Sequence, residues 1–586
     1  MENWNHLPHE LLDAISFYTP STFSNAKSMA VNKQWYNFYL SKRFKTVSIA
    51  LRSTNATLKQ ILTSPFQPGQ WTKAITFVEI NTVPDLDSID YDQDLFDRLM
   101  KETPNVKVVR FAEKVRAWAY FLHILKNNHW QLRKIPVTWD KRLAPFYYEC
   151  AHHVRNTLES LQINEYMFLS DLNFSFLKEF IALNRLYIDD GLIGSPLGLN
   201  SILQHTSGTL SMLNVEFPGV SAMGSYPEEA LPVYPNIKHI QFLDFTPESN
   251  DQLSVFTNSF TRLEKLVIVG DIDAPWPGIR VDDDTKEIFY KTLHALKAYK
   301  ITVPGCRIDL SHFKKHLTQP VRLFIRNSGP GHYVIGDDKS TTLVKSQDCS
   351  YISMRYECIV DNRNRNSGFV PNILQSLDGN IVQVNLREIA SNLVTTFLDA
   401  LLEREYVNLH TIVVSDTKLC EYEWDPERPK VDHVKTLKFY NCSVSERSLF
   451  SLSRNYFEKL DYLQYNTCTP RKEKLHWINF RETEIHTLCL SEVEDLEYPR
   501  RKRSKAHPCT FVCVNIFRNG INLRMFLVDQ NSVIVETKES VSHEILDSET
   551  TIQVSIDVQS IQTIILKSPT RKKDVYIDLQ KSYYAQ

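Results

Sequence analysis

Side chains able to do chemistry are scattered along this chain rather than clustered. His507, Cys509 and Cys513 are metal-binding types. In an extended segment, however, Cys509 and Cys513 lie about 13 Å apart, too far to share one ion. Cys150, His152 and His153 offer the same donors at adjacent positions, where packing and surface roles suit them better. Gly329-Pro330-Gly331 lacks the lysine and the helix of a phosphate loop and reads as a turn. Glu228-Glu229 and Asp282-Asp283-Asp284 stand in polar, turn-like stretches as solvated loops, not as acid–base pairs. No His-Glu-x-x-His, nucleophile elbow or kinase set is present. The expectation is therefore a non-enzyme with no catalytic residues, no metal and no cofactor.

Composition narrows the classes further. The 67 basic and 69 acidic residues leave a formal charge of −2, so no basic excess argues for nucleic acid. Hydrophobic residues at 42% and charged residues at 23% suit a folded protein with material for a long core. The ten cysteines lack disulfide-framework spacing and follow no secretory-type segment, which predicts free thiols in a reducing compartment. No apolar run approaches a membrane span. A cytoplasmic or nuclear protein is expected. Arg500–Lys505 is either an import patch or a solvated loop.

The elements that must position any functional side chain come from a repeat. The pattern apolar-x-x-apolar-x-apolar recurs at Leu158, Leu183, Leu210, Ile237, Leu263, Leu409, Val434, Leu460 and Ile485. Weaker copies start at Thr72, Val106, Leu132, Leu293, Pro320, Tyr351, Ile381 and Phe511. From 72 to 511 the mean spacing is about 27 residues, inside the range of leucine-rich repeats. The x-apolar-x-apolar core of each copy predicts a strand with alternate side chains buried. Segments such as Asn392–Glu405 and Phe176–Leu183 carry helical spacing between strands. One strand and one helix cannot bury both faces alone, but stacked copies share a continuous core. A non-repeating α/β enzyme is the alternative. Residues 83–94, 329–342 and 499–507 interrupt the rhythm, and the β-rich texture beyond Thr510 predicts last repeats plus a cap.

The N-terminus follows another rule. Leu7, Leu11, Leu12, Ile15 and Tyr18 recur at steps of three and four and form one apolar stripe on a helix. Pro8 suits the first helical position, Glu10 favours the positive helix end, and Pro20 stops the helix. A second helix should carry Phe23, Ala26, Met29 and Ala30. A third, after Val31, should carry Trp35, Phe38 and Tyr39. Three short helices bury little core alone, so the unit must lean on a partner or on the rest of the chain.

Leu7-Pro8-x-Glu10-Leu11-Leu12-x-x-Ile15, followed by Val31-x-Lys33-x-Trp35, resembles the F-box. Tyr39–Ile49 is similar to that family's exit into a following strand. Asn32 replaces the cysteine common after the valine, and the second helix is poor in leucine. The order of the two parts resembles the F-box/leucine-rich-repeat proteins. The resemblance implies an α/β chain: an all-α F-box at 1–49, a leucine-rich-repeat solenoid at 50–506 with a curved parallel sheet inside and helices outside, and terminal repeats with a β-rich cap at 507–586. It also implies a substrate-recognition subunit of an SCF-type cullin–RING ubiquitin ligase, monomeric within the complex. Leu7, Pro8, Leu11, Leu12, Ile15, Val31 and Trp35 would contact the Skp adaptor, or in part serve the helical core. Through that adaptor the chain would reach a cullin. The other readings are a leucine-rich-repeat scaffold without ligase coupling, and a small-molecule sensor like the plant hormone receptors of this family. On the repeats, alternation places Arg326, Arg355, Arg387 and Lys438 beside Tyr440 on the exposed strand face. Such a basic stripe would hold an acidic or phosphorylated segment of a protein target, unless each arginine pairs locally, as with Glu357 or Glu388.

Excising one whole period, 409–433, should shorten the array and leave a cooperative melt. Excising half a period should broaden or abolish that melt, because a strand then meets a helix slot. Equal damage in circular-dichroism melts of the two variants would argue against stacked repeats.

Overall fold

A computed structural model of the chain describes residues 10–12, 33–49, 56–78, 93–111, 118, 121–123, 125–126, 130–138, 140–167, 173–189, 191–193, 196–218, 232–271, 276–278, 280–304, 311–316, 321–327, 340–345, 350–356, 381–389, 394, 398, 408–419, 430–466, 475–491, 509–517, 522–528, 534–537, 551–567 and 574–580. The fold is mixed α/β with parallel sheets and, among the described residues, no closed barrel. The chain forms two compact units, one of residues 1–245 with 254–265 and one of 246–253 with 266–586. No helix among the described residues is long and apolar enough to cross a membrane.

In the first unit the helix Lys33–Lys45 buries Trp35, Phe38 and Tyr39, the face predicted for the third N-terminal helix. Its last turn carries Lys42, Arg43 and Lys45, cations that suit the negative end of a helix dipole. The chain passes directly into strand β1 (Thr46–Ile49), the predicted exit strand. Strand β1 pairs in parallel with β2 (Ala74–Phe77), and β2 with β3 (Val108–Arg110). A single parallel bridge joins Val108 to Lys134. Strands β4 (Ser160–Ile163), β5 (Arg185–Ile188), β6 (Met212–Glu216) and β7 (His239–Leu243) form a second parallel run.

One backbone device sets the register throughout this unit. The carbonyl just after each repeat start accepts N–H groups from the next repeat. Glu159 O accepts from Asn184 (2.9 Å) and Arg185 (2.8 Å), Asn184 O from Ser211 and Met212, and Ser211 O from Lys238 and His239. The weak copies obey the same rule: Lys73 O takes Lys107 and Val108, and Lys107 O takes Arg133 and Lys134. Thr72, Val106 and Leu132 thus share the register of the strong copies, and each is buried. The residue before a start often adds a side-chain bond to the preceding copy. Thr157 Oγ1 donates to Leu132 O (2.8 Å), Thr209 Oγ1 to Leu183 O (2.7 Å) and Asn236 Nδ2 to Gly208 O (2.9 Å). Behind the strands lie Leu161, Leu186, Leu213 and Ile240, all buried. Each such side chain contributes about 1.5–3 kcal/mol by leaving water. The segment Phe174–Glu179 between strands is a 3₁₀-helix, not the longer helical run expected over 176–183. A 3₁₀ turn rises faster per residue and fits the short link between successive strands.

Strand β8 (Lys265–Val269) begins on the last residue of the first unit, and the second unit contains the rest of it with β9 (Ala298–Pro304), β10 (Val321–Asn327), β11 (Ser340–Lys345), β12 (Ser350–Tyr356) and β13 (Ile381–Arg387). The copy assigned to Leu293 falls inside the helix Asp283–Ala295. The strand copy starts three residues later, with Leu296, Tyr299 and Ile301 all buried. Pairing here departs from chain order. Strand β10 lies in parallel between β12 and β13, and β11 pairs antiparallel with both β12 and β9. The connection 346–349 is too short for a parallel crossover, which needs a dozen or more residues, so β11 and β12 form a hairpin.

Chain order returns with β14 (Thr411–Ser415), the short β15 (Lys418–Leu419), β16 (Thr436–Tyr440), the short β17 (Ser443–Val444), β18 (Lys459–Asn466) and β19 (Leu475–Ser491). Strands β13, β14, β16, β18 and β19 form one parallel ladder. The residue after a strand adopts the left-handed region at Glu388 (φ 55°), Asp416 (φ 52°) and Asn441 (φ 50°). Its N–H donates to the next strand's last carbonyl: Glu388 to Ser415, Asp416 to Tyr440, Asn441 to Asn466. Cys442, eight residues past the repeat start at Val434, is buried and donates to Val414 O and Tyr440 O at 3.3 Å. Thr417 fills the equivalent position one copy earlier, donating to Ser415 O and accepting from Ile389 N–H.

The β-rich end comprises β20 (Cys509–Ile516), β21 (Asn522–Val528), β22 (Ile534–Thr537), β23 (Thr551–Lys567) and β24 (Val575–Asp578). The first half of β23 pairs with β19 and β20, and its second half with β19 and the antiparallel β24. Phe511 is not the start of a repeat in register: Val512 and Val514 are the buried positions of β20. Two charge pairs hold this region. Asp557, with its side chain 1% exposed, accepts from Arg481 Nη2 (2.7 Å) and Asn515 Nδ2 (2.6 Å). Arg524 meets Glu536 in two bonds of 2.8 Å. Removing one member of a buried pair leaves an uncompensated charge and costs about 3–5 kcal/mol. The side chains of Arg524 and Glu536 are both largely buried, so Arg524→Met should lower the denaturant midpoint of this unit strongly, while Arg524→Met with Glu536→Leu should recover much of the loss. Chemical denaturation followed by tryptophan fluorescence measures both.

Candidate functional site

Two surfaces could carry function: the N-terminal helical stripe and the half-exposed face of the parallel ladders. At the N-terminus, Leu12 is fully buried in one cluster with Trp35, Phe38 and Tyr39. Its neighbour Leu11 is 50% exposed. Adjacent helical positions point about 100° apart, so one leucine can enter the core while the next faces outward. Of the expected adaptor contacts, Leu12 and Trp35 thus serve the chain's own core, and Leu11 is presented to the surface. Leu7, Pro8, Ile15 and Val31 lie outside the described residues.

In the second unit the register brings the sequence-selected arginines together. Arg326 pairs with Arg355 on one side and with Arg387 on the other, so all three occupy one cross-strand row. Neighbouring strands stand about 4.8 Å apart. The spatial order is Arg355, Arg326, Arg387, not the chain order, because β10 sits between the other two strands. The row continues through Ser415 to Tyr440. Lys438 stands one row away, opposite Val413 and Gln464.

Local partners hold Arg387, Lys438 and Tyr440. Arg387 Nε lies 2.9 Å from Asp416 and 3.6 Å from Glu388. These acids occupy the left-handed exits of two neighbouring copies, so the turn geometry itself supplies the counter-charge. Glu388 was foreseen as a partner; the closer Asp416 was not. Lys438 Nζ sits 5.7 Å from the centre of the Tyr462 ring, and the Tyr440 hydroxyl donates to Gln464 Oε1 at 3.1 Å. Burial, then the neighbouring Cys489, raises the phenol pKa of Tyr462 above its ordinary range; burial does the same at Tyr440. Both phenols stay neutral and act as hydrogen-bonding groups at physiological pH.

The other candidate clusters resolve into packing. Cys150 is a buried free thiol on the helix Ala144–His153, and His152 meets Glu179 at 3.2 Å. Cys509 and Cys513 lie in one extended strand, as the spacing argument required. Asp282-Asp283-Asp284 is not a loop: Asp282 caps the helix Asp283–Ala295 by accepting the Thr285 N–H at 2.7 Å, and Asp283 and Asp284 open its first turn, where the helix dipole favours carboxylates. On that helix Glu287 accepts from His312, Lys315 and His316, and the His312 bond leads in holding its carboxyl down to about 2. Among the described residues, no group of three or more histidine, cysteine or acidic side chains is arranged to hold a metal ion. Gly329-Pro330-Gly331 and Arg500–Lys505 lie outside the described residues.

No family model matches the chain, and no curated protein matches it.

The Arg387–Asp416 pair is half exposed on the arginine side, and exposed pairs are worth about 0.2–1 kcal/mol. A double-mutant cycle of Arg387→Ala and Asp416→Ala should give a thermal coupling in that range, small enough for an incoming carboxylate to displace. A coupling above about 2 kcal/mol would mark the pair as a structural clamp instead.

Proposed function

We propose that the chain is a non-catalytic recognition subunit of an SCF-type cullin–RING ubiquitin ligase. On this reading the N-terminal helices are an F-box that binds a Skp adaptor. The parallel ladders are stretches of a leucine-rich-repeat solenoid whose half-exposed strand face binds a protein target. Ubiquitin transfer belongs to other subunits.

The observation that carries the proposal is the N-terminal motif with its division of labour. Leu12 and Trp35 are buried in the helical core while Leu11 stays exposed beside them. An exposed leucine on a helix whose adjoining face is packed suits docking of a second helical protein. The direct passage of Lys33–Lys45 into β1 adds support, because it ties the docking helices to the ladder. The recurring carbonyl hand-off at 25–27 residues between Glu159 and Lys238 supports the repeat reading.

Co-purification of the full chain with a Skp adaptor and a cullin tests the proposal. Wild type should capture both. Leu11→Ala should weaken capture about tenfold or more with an unchanged melting temperature, since burying a leucine at an interface is worth about 1.5–3 kcal/mol. Leu12→Ala should instead destabilise the fold by about 2–5 kcal/mol, because it empties a core position. Folded wild-type chain that never retains the adaptor would sink the ligase reading and favour a scaffold without ligase coupling.

A further inference from the structure

Among the described residues of the first unit, Arg185 on β5 is a half-buried cation whose surroundings ask for a ligand. It is half-buried on the face of the sheet opposite Leu186 and Ile188. Its Nη1 donates to the Tyr187 hydroxyl at 3.0 Å. Its Nε and Nη2 rest on the Met212 thioether at 3.2 and 2.9 Å. The guanidinium also lies 6.0 Å from the Tyr187 ring centre. No carboxylate among the described residues pairs with it. A thioether is a weak acceptor, whereas arginines elsewhere in this chain meet acids: Arg133 with Glu159, Arg481 with Asp557, Arg524 with Glu536. A guanidinium has five N–H donors, and three contacts leave one on each terminal nitrogen.

The neighbouring positions fit a peptide. The register sets Arg185 beside Met212 and His239, and sets Tyr187 beside Asn214 and Gln241 in the adjoining row. Neither Asn214 nor Gln241 engages its amide with another described residue, and both are half-exposed. Burial lowers the His239 pKa, so the imidazole adds no charge at neutral pH. Lys238 is engaged with Glu264 at 3.5 Å. Lys265, exposed at the equivalent position of β8, is the other cation near His239, so the charge beside the Tyr187, Asn214 and Gln241 side chains is that of Arg185.

We infer that Arg185, with Tyr187 and the Asn214–Gln241 amides, forms a subsite for a glutamate or aspartate side chain of an extended protein segment crossing β5, β6 and β7. The inference rests on the reading that the strand face binds a protein target. A single cation matches one carboxylate, while phosphoryl recognition uses clusters of arginines. The carboxylate replaces the thioether as acceptor and forms charge-assisted bonds to the guanidinium. The amides take the segment's main-chain groups.

The test uses the full chain and immobilised degenerate nonapeptide pools with a fixed central residue: glutamate, glutamine or phosphoserine. The expected result is retention of the glutamate pool at least tenfold above the glutamine pool. Arg185→Gln should erase that difference, and Arg185→Lys, which keeps the charge, should preserve part of it. Far-UV circular dichroism checks that each variant is folded. Equal retention of the glutamate and glutamine pools would overturn the inference and leave protein recognition by this face intact. Preference for phosphoserine would overturn it in favour of a phosphate site. Retention of no pool would overturn both the subsite and peptide recognition by this face, independently of adaptor capture.

Discussion

The structure depends on a carbonyl that cannot be satisfied within its own repeat. Strands of four or five residues, such as β4 to β7, are too short to stand alone, and a buried backbone acceptor left unpaired costs free energy comparable to a lost hydrogen bond. Each corner carbonyl is satisfied by the next copy, and many accept two N–H groups at once. This fixes the phase of the following strand, because two adjacent donors on one acceptor leave no freedom to slip by a residue. A slip would turn Leu186 and Ile188 outward and Arg185 and Tyr187 into the core. The apolar pattern and the backbone bonds therefore enforce one register.

The exit of each copy in the second unit is fixed by a different economy. Glu388, Asp416 and Asn441 take up left-handed backbone, a conformation that asparagine and aspartate tolerate better than most residues. Glycine would carry no strain there, but it would supply no side chain. The carboxylates of Glu388 and Asp416 reach Arg387, and Asn441 Nδ2 donates to Asp416 Oδ1 at 2.7 Å. Turn geometry and surface electrostatics are thus one feature. Arg387 meets two acids at these exits, which moderate its charge without cancelling it.

What was legible in the sequence was whatever repeats. Weak copies at Thr72, Val106 and Leu132 stand in register because a threonine or valine at the start still fills the buried corner. Leu293 misled because helix and strand spacings coincide there: Leu293 and Leu296 are three apart, and both are buried. The order β12–β10–β13 was not legible, since it depends on a short connection forcing a hairpin. Nor were Arg481 with Asp557, separated by 76 residues, or Arg524 with Glu536, because a single long-range charge pair leaves no period behind. The side-chain bonds of Thr157, Thr209 and Asn236 do leave one. Each stands immediately before a repeat start, a position that apolar pattern matching ignores.

The same logic separates where the chain is constrained from where it is free to differ between copies. Positions that face the core, the corner and the exit are set by packing and hydrogen bonding, so they carry little information about a partner. The half-exposed strand positions answer to no such demand. They read Gln162, Tyr187, Asn214 and Gln241 across one unit, and Asn385, Val413, Lys438 and Gln464 across the other. Even there Gln162 has been drawn into structure: it accepts the Thr138 N–H where no full strand precedes β4, and it is buried. Tyr187 and Gln464 accept from Arg185 and Tyr440, so the positions left to a partner are those whose side chains find no strong acceptor or donor among the described residues. A guanidinium resting on a thioether at Arg185 and two unengaged amides beside it meet that description better than Arg387, whose acids come with its own turns. Charge alone is therefore a poor guide to a binding face, and the better guide is charge that the fold has left uncompensated.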